Sequence, residues 1–495
     1  QADNLSNKVK TFNPVYNIDK VYIDAFKGLS TPGGKRYPDM VAAFNNRINK
    51  GCLIMNYTGH GGEVGLSAER VVDIPGINSW TNFNNLPLFI TATCEFSRYD
   101  DPDRVSAGEI CLLNPRGGSI AMLTTCRLAF SNFNETLNNK LFDYVFKKQP
   151  DNKMPTLGDI IKNTKANLGQ NFFYSNFHLL GDPALTLAYP KNKVITSEIN
   201  GNMVTPISTD TIKGLSKVTV KGFVADTSGV KLSGFNGYVY PMVFDKKELI
   251  TCQLNDPGSS ISSGTLVPFK FVAQQNIIYK GKAEVKNGDF SFTFIVPKDV
   301  SFSYGNAKIS YYATDGTTDA NGNHDSVKVG GLDPNAVPDV AGPTVKLYLN
   351  SKSFVNGGTT NENPILMAEV SDSSGINTVG TGFGHDITAI VDNNTNLPYV
   401  LNDYYETNLN SYQSGVIRYQ LKDLEEGNHQ LSLKVWDVQN NSSVTSADFV
   451  VAKSADLALN MVLNYPNPFT TNTKFFFEHN RNCDDIKVLI QVFTI

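Results

Sequence analysis

The sequence has 495 residues, a net charge of −4 at neutral pH and a pI near 5.9. This near-neutral balance gives no basic footprint for nucleic acid, so we expect no nucleic-acid partner. Hydrophobic residues make up 41% of the chain, too many for a disordered protein, and the length predicts two to four domains. The longest apolar runs, such as Leu86 to Ile90, are too short to cross a membrane as a helix.

Strands and helices alternate in the pattern of the first 190 residues. Strands bear continuous apolar runs and helices show apolar residues at a spacing of three to four, which predicts a mainly parallel sheet buried on both faces. In chain order we expect strand Lys20–Phe26, helix Asp39–Asn49, strand Cys52–Tyr57, strand Leu86–Thr91, helix Val105–Leu113, strand Ser119–Thr124, helix Asn134–Phe146 and helix Leu157–Leu168.

Beyond residue 193 the helical spacing disappears and short alternating strands follow, separated by turn clusters. This pattern is typical of β-sandwiches. We therefore predict an α/β domain over 1–192, sandwiches over 193–340 and 341–452, and the start of a further β-module over 453–495.

Both ends of the sequence predict a piece of a longer chain. It begins with Gln1 rather than methionine, shows no signal peptide, and stops at Ile495 inside an apparent strand. Missing targeting signals therefore say little about location.

Two strand ends in the first domain carry chemistry. The strand Cys52–Tyr57 runs into a glycine-rich turn that holds His60, and the strand Leu86–Thr91 runs into a turn that holds Cys94. Functional groups of parallel sheets collect at the carboxyl ends of strands, so the two side chains are expected to be neighbours. Alone, each residue is better explained as a turn histidine or a buried thiol; together they indicate a cysteine nucleophile with an imidazole acid/base.

The chemistry needs these residue types because a free thiol is only a few per cent ionised at neutral pH. A nearby imidazole raises the thiolate fraction and later protonates the leaving amine. We expect the backbone N–H groups of Gly61 and Cys94 to hold the oxyanion of the tetrahedral intermediate.

Other polar residues near these turns have two readings each. Glu95, Glu69, Glu109 and Trp80 are candidate walls of the substrate site, whereas solvation, ion pairing or core packing explains them equally or better. The acidic loop of Asp100, Asp101 and Asp103 is a candidate calcium site or simply a turn.

The cysteines give no metal site. None of the six has zinc-ligand spacing, and we expect Cys52, Cys111 and Cys126 to be buried as small apolar residues. We therefore expect no resident metal or other cofactor, with calcium as the one alternative.

Four motifs together resemble the gingipain family of the caspase/gingipain clan, and within it the sortase-like peptidases of the type IX secretion system. They cover most of residues 20–190 and are Asn56–Gly62 (NYTGHGG), Thr91–Ser97 (TATCEFS), Ser106–Glu109 (SAGE) and His178–Leu185 (HLLGDPAL). The segment Tyr465–Phe469 (YPNPF) resembles the opening of type IX C-terminal domains.

This resemblance implies a caspase-like peptidase domain followed by Ig-like sandwiches, at the outer surface of a bacterium and associated with the outer membrane. Its relatives remove C-terminal sorting domains from secreted cargo and link the cargo to anionic lipopolysaccharide, beside an outer-membrane β-barrel partner of the PorV type. Gingipains also orient the histidine with an upstream acid, which would lie near or before residue 1 here.

Two rival functions remain open on the sequence. One is a non-catalytic surface scaffold with a degenerate peptidase domain, argued from the missing orienting acid. The other is a carbohydrate-binding adhesin, which rests only on the β-sandwich content.

Overall fold

The computed structural model describes residues 1–169, 171–205, 211–255, 261–262, 265–379, 384–452, 459–465 and 471–479. Two compact units are present, and each is described by itself. The first comprises Gln1–Lys191 with Lys247–Gln275, and the second comprises Asn192–Lys246 with Asn276–Ile495. The segment Lys247–Gln275, which the sequence placed in a sandwich over 193–340, thus groups with the first unit.

The α-helices of the described residues all lie in the first unit. They are α1 Ala2–Phe12, α2 Pro38–Lys50, α3 Ile74–Asn78, α4 Ala107–Leu113, α5 Ser131–Val145, α6 Leu157–Ala166 and α7 Phe172–Ser175.

Nine strands lie in the described part of the first 191 residues. They are β1 Leu29–Thr31, β2 Gly34–Arg36, β3 Ile54–Thr58, β4 Gly61–Gly62, β5 Gly65–Leu66, β6 Val72–Asp73, β7 Leu88–Ala92, β8 Ala121–Thr125 and β9 Phe177–Leu180. The main sheet has the order β3-β7-β8-β9, in which the first three strands are parallel and β9 is antiparallel to β8. The carboxyl ends of β3, β7 and β8 therefore lie at one edge of this sheet.

Helices cover both faces of the main sheet, as continuous apolar strands require. Alternate residues of β7 point to opposite faces: Phe89 belongs to a core cluster with Phe44 of α2, whereas Ile90 belongs to another with Leu141 of α5. The predicted two-sided sheet is therefore present in the first unit.

One predicted strand is wrong. Lys20–Phe26 does not pair with the sheet and instead contains a 3₁₀ turn at Ile23–Ala25. Its aromatic residue Tyr22 packs edge-on against Phe271, with ring centroids 4.6 Å apart, and the Gln253 N–H donates to the Asp24 carbonyl over 2.7 Å. The apolar run is thus explained by contact with a segment distant in sequence.

Residues 192–332 contain strands β10 to β25. They are β10 Asn192–Ile199, β11 Asn202–Met203, β12 Thr211–Gly214, β13 Lys217–Ala225, β14 Gly237–Phe244, β15 Glu248–Thr251, β16 Ile261–Ser262, β17 Thr265–Leu266, β18 Lys270–Ala273, β19 Ile277–Lys280, β20 Ala283–Lys286, β21 Asp289–Ile295, β22 Gly305–Asn306, β23 Lys308–Thr314, β24 Asp319–His324 and β25 Lys328–Leu332. Strands β15 to β18 belong to the first unit, where β15 pairs with β18 and β16 with β17.

The first half of the second unit differs from the sandwich that the sequence predicts. Its main sheet runs β10-β13-β21-β20-β14-β23-β24, and β24 pairs back onto β10, so the sheet closes on itself. Alternating strands bury one face in a closed sheet as well as in a sandwich, which is why the pattern alone cannot separate them.

The remaining strands of the second unit follow residue 343. They are β26 Thr344–Leu349, β27 Thr359–Thr360, β28 Ile365–Ser371, β29 Thr388–Val391, β30 Tyr399–Val400, β31 Tyr405–Thr407, β32 Ser414–Gln420, β33 Gly427–Trp436, β34 Ser442–Val451, β35 Leu459–Tyr465 and β36 Lys474–His479.

The region 341–452 has two sheets with one shared core. The sheets have the orders β26-β28-β32-β31 and β27-β34-β33-β29-β30, and Leu366 and Ile417 of the first cluster with Leu431 and Leu433 of the second. Strands β35 and β36 pair antiparallel, and most of the YPNPF motif lies outside the described residues. Across the described parts of both units, no helix combines the length and apolar character needed to cross a membrane.

Candidate active site

His60 and Cys94 lie at equivalent positions beyond two neighbouring strands. In the parallel pair β3–β7, Thr58 is the register partner of Ala92, and His60 and Cys94 each follow two residues later. Neighbouring strands are about 4.8 Å apart. The chain therefore leaves the sheet side by side at these two residues, on the edge that the sequence predicts.

The backbone of His60 is fixed while its side chain is exposed. The His60 carbonyl accepts hydrogen bonds from the Tyr57 hydroxyl over 2.7 Å and from the Ser67 N–H over 2.8 Å. Burial raises the pKa of Tyr57, which keeps its hydroxyl protonated as a donor. The exposed imidazole has no hydrogen-bond partner within the described ranges, so it can turn towards Cys94 or a substrate.

The turn after His60 presses directly on the residue before Cys94. A Cβ placed on Gly61 would lie 2.5 Å from Thr93 Oγ1, and the Thr93 side chain is fully buried. The ion pair between Glu63 and Arg98 joins the same two turns a little further on. Only glycine fits at position 61 with this spacing, which explains the glycine-rich sequence beside His60.

A sharp turn presents the Cys94 thiol. Glu95 adopts the left-handed conformation with φ of 46°, which a non-glycine residue rarely does, and its N–H donates to the Arg127 carbonyl over 3.3 Å. Phe96 is fully buried and anchors the turn in the core. The half-buried Cys94 Sγ donates to the Ala129 carbonyl over 3.2 Å and accepts from the Ala129 N–H over 3.4 Å.

The other described cysteines are poorer nucleophiles. All five described cysteines are free thiols, and Cys483 lies outside the described residues. Burial raises the thiol pKa of Cys52 to about 11 and of Cys111 to about 12, and it also raises those of Cys126 and Cys252. Cys52 is half-buried rather than buried as expected. A raised pKa lowers the thiolate fraction of these four thiols. Cys94 differs from them in position, because it follows β7 beside the turn that holds His60.

The two expected oxyanion donors have no competing acceptor among the residues that the structure describes. Gly61 faces Leu66 across β4–β5, and the Ser67 N–H bond to the His60 carbonyl makes this a non-hydrogen-bonded pair, so the Gly61 N–H points away from β5. The Cys94 N–H donates to no acceptor within the described ranges. Both groups thus remain for a substrate oxygen.

Two of the candidate wall residues have structural roles instead. Trp80 is 2% exposed, packs beside Phe44, and donates its indole N–H to Asn45 over 2.9 Å, so it lies in the core and not in a cleft. The Glu109 carboxylate accepts from the Ser106 N–H over 2.8 Å and completes a capping box at the start of α4. Ser106 followed three residues later by Glu109 is the sequence pattern of a capping box, so this role could be predicted from the sequence.

The remaining wall candidates, Glu69 and Glu95, lie on the loops of the site and interact with neighbouring side chains. Glu69 accepts a hydrogen bond from the Ser67 hydroxyl, and the Glu95 carboxylate lies 3.9 Å from the Arg98 guanidinium. Both therefore contribute to the loops that follow His60 and Cys94.

The acidic loop 100–103 does not gather its carboxylates. Asp100 pairs with Arg127, and Asp101 lies 3.7 Å from Arg98. Among the described residues, the carboxylates that do come within 4.8 Å of one another are those of Asp339, Asp372 and Asp437, in the second unit. Each of the three accepts a hydrogen bond from a nearby backbone N–H group.

Sequence reasoning missed the segment after β8. This third strand end brings the Ala129 peptide to Cys94, while Cys126 and Leu128 are tied to Asn176. Functional groups collect at the carboxyl ends of parallel strands, and this holds for β8 as well as for β3 and β7. The segment after β8 could therefore have been predicted to lie at the site. Its contacts to sulfur are made by backbone, which no residue type reveals.

Comparison with known proteins then gives the family. Residues 1–188 match the model of peptidase family C25.

Residues 1–188 belong to peptidase family C25, the gingipain family.

This membership points to a cysteine peptidase, and it supplies the context for a cysteine and a histidine at one sheet edge. Similar solved structures include dimeric latent PorU from Porphyromonas gingivalis, with 32% identity, a TM-score of 0.36, and coverage of 68% of this chain and 32% of that chain. Another is the complex of Porphyromonas gingivalis RgpB pro- and mature domains, with 15% identity, a TM-score of 0.28, and coverage of 58% and 57%. The chain thus spans about a third of the length of PorU. No curated protein matched the chain.

Proposed function

We propose that Cys94 is the nucleophile and His60 the acid/base of a peptide-cleaving site in the C25 region. The observation that carries the proposal is the shared register of β3 and β7, with Gly61 in contact with Thr93. Reacting groups must be held close together for an intramolecular proton transfer to be efficient. Two turns that are packed against each other at the ends of paired strands meet this need.

The reaction divides into two steps. The Cys94 thiolate attacks the scissile carbonyl carbon, and the oxyanion that forms is held by the Gly61 and Cys94 N–H groups, each contributing about 3 kcal/mol. His60, protonated, gives its proton to the departing amine as the C–N bond breaks, which leaves a thioester on Cys94. The reaction uses no cofactor, because thiolate and imidazole supply both the nucleophile and the proton.

In the second step an acceptor attacks the thioester and loses its proton to His60, and the Cys94 thiolate leaves. The acceptor is water in hydrolysis or an amine in transpeptidation. A thioester suits the second route because it stays reactive towards amines. We assign the chain to the type IX secretion system, where it removes C-terminal sorting domains from secreted cargo and passes the cargo to anionic lipopolysaccharide.

This assignment rests on the motifs around His60 and Cys94, on the family membership of residues 1–188, and on the YPNPF segment. It places the chain at the cell surface, with an outer-membrane β-barrel partner of the PorV type. In this proposal the C25 region has a caspase-like core, and the β-rich second unit, with an Ig-like sandwich over 341–452, acts as spacer and docking surface.

The experiment compares Cys94→Ala with Cys52→Ala in cells that produce the protein, at matched protein levels. Cys52→Ala is the control because it removes a thiol that is already weakly ionised. We expect unprocessed cargo to accumulate with Cys94→Ala alone. Normal cargo maturation with Cys94→Ala would contradict the proposal and favour a non-catalytic surface scaffold.

A further inference from the structure

Three large apolar side chains are exposed on the segment that contacts the Cys94 thiol and on the short helix packed against that segment. Leu128, Phe130 and Phe172, here called the apolar shelf, are 67%, 61% and 74% exposed. Leu128 and Phe130 flank Ala129, whose peptide group contacts Cys94 Sγ. Clustered exposed apolar side chains mark binding surfaces, and this cluster adjoins the proposed nucleophile.

The segment that carries the apolar shelf is held in place by its own contacts. The Cys126 N–H donates to the Asn176 carbonyl over 3.1 Å, and the Asn176 side-chain amide donates back to the Leu128 carbonyl over 3.3 Å. Exposure here therefore does not come from a loosely held backbone. A fixed backbone with outward apolar side chains is preorganised to bind a partner group.

Aromatic packing joins the two ends of the apolar shelf. The ring of Phe173 contacts those of Phe130 and Phe172, with centroid distances of 5.0 and 5.7 Å, and Phe133 stacks on Phe173 at 4.7 Å. Phe130 precedes α5 and Phe172 begins α7, so Phe173 connects two parts of the apolar shelf that are distant in sequence.

The charges around Cys94 do not favour a basic substrate side chain. Asp100 pairs with Arg127, and Glu63 pairs with Arg98 and lies 3.0 Å from Arg104. A lysine or arginine of a substrate would compete with these arginines for the Asp100 and Glu63 carboxylates. An apolar side chain would instead cover the apolar shelf without disturbing any of these pairs.

We propose that the apolar shelf binds a large apolar or aromatic side chain of the substrate, on the acyl side of the bond that Cys94 attacks. This inference rests on the proposed function and adds the substrate class to it. Covering the apolar shelf removes apolar surface from water, which favours such substrates over charged ones.

The test uses the purified chain and peptidyl acyloxymethyl ketones that carry phenylalanine, leucine, alanine, lysine or glutamate next to the reactive ketone. The second-order rate of Cys94 modification is measured by mass spectrometry for each probe. Iodoacetamide, which has no side chain to recognise, measures the intrinsic reactivity of Cys94 in the same protein.

We expect the phenylalanine and leucine probes to react at least about tenfold faster than the lysine and glutamate probes. Phe130→Ala and Phe172→Ala should reduce this preference by about tenfold and leave the iodoacetamide rate unchanged. Phe130→Leu should keep most of the preference because it keeps an apolar surface. Phe83→Ala is the matched control, since Phe83 is 63% exposed but precedes the amino end of β7 at the opposite sheet edge.

Fastest reaction with the lysine or glutamate probe would overturn the inference, as would an apolar preference that survives both alanine variants. Iodoacetamide modification of Cys94 without modification by any peptidyl probe would also overturn it. Failure of Cys94 to react with iodoacetamide would instead refute the proposed function itself.

Discussion

Gly61→Ala tests whether the contact between the two turns sets the catalytic geometry. The added Cβ would lie 2.5 Å from Thr93 Oγ1 and 3.0 Å from Thr93 Cγ2, whereas ordinary contacts begin near 3.4 Å. The turns must therefore separate by about 0.9 Å, because Thr93 is buried and has no space to move into. A displacement of about 1 Å between reacting groups costs about 100-fold in rate.

The assay is the specificity constant for a peptide substrate, or the rate of Cys94 modification by a peptidyl ketone, with thermal unfolding as a check on folding. Gly62→Ala is the matched control, because a Cβ at Gly62 meets no atom within 4 Å. Combining Gly61→Ala with Thr93→Ala should restore much of the activity, since it removes the two shortest contacts and leaves the milder one of 3.2 Å to Leu66 Cδ2. Equal activity of Gly61→Ala and Gly62→Ala would refute the reasoning.

Three further predictions concern the thiols, the core and a helix cap. At pH 8 iodoacetamide should modify Cys94 first, and Cys52 should react appreciably only as the pH rises towards about 11, because its raised pKa keeps the thiol protonated. The fully buried Cys111 should stay unmodified until the protein unfolds. Equal labelling of these three thiols in the native protein would contradict this prediction, whereas equal labelling is expected in urea. Trp80→Phe should lower the free energy of unfolding in urea by about 1–2 kcal/mol, because it removes the hydrogen bond to Asn45 and leaves a smaller ring in the core. A changed substrate preference at unchanged stability would instead show that Trp80 lines the substrate site. Glu109→Ala should lower the free energy of unfolding by about 1 kcal/mol, because it removes the capping box at the start of α4. Glu109→Gln should lower it less, because the amide oxygen still accepts the hydrogen bond. Unfolding in urea at the wild-type midpoint by both variants would show that the cap is dispensable.

Much of the first unit could be predicted because its strands are buried on both faces. The run before Cys94 is apolar throughout, since Phe89 and Ile90 face different cores, and its end is marked by the change to polar residues. Parallel pairing then places His60 and Cys94 at one edge, which follows from the direction of the strands alone.

Other features depend on contacts that sequence patterns do not record. Tyr22 and its neighbours are apolar because they meet Phe271, some 250 residues away, so a strand was predicted where none exists. The strands of 192–324 show the alternation of a sandwich, and only the pairing of β10 with β24 distinguishes a closed sheet. A tryptophan suits a core as well as a substrate cleft, and only the burial of Trp80 in the structure shows that it belongs to the core.

The most direct test of the central claim is to look for an acyl group on Cys94. A peptide ester is mixed with the purified chain, the reaction is stopped with acid within milliseconds to seconds, and the acylated residue is located by peptide mapping. We predict a thioester on the peptide that contains Cys94, and no ester hydrolysis above background by Cys94→Ala. Hydrolysis by Cys94→Ala at the wild-type rate, or an acyl group on another residue, would contradict the assignment of Cys94 as the nucleophile.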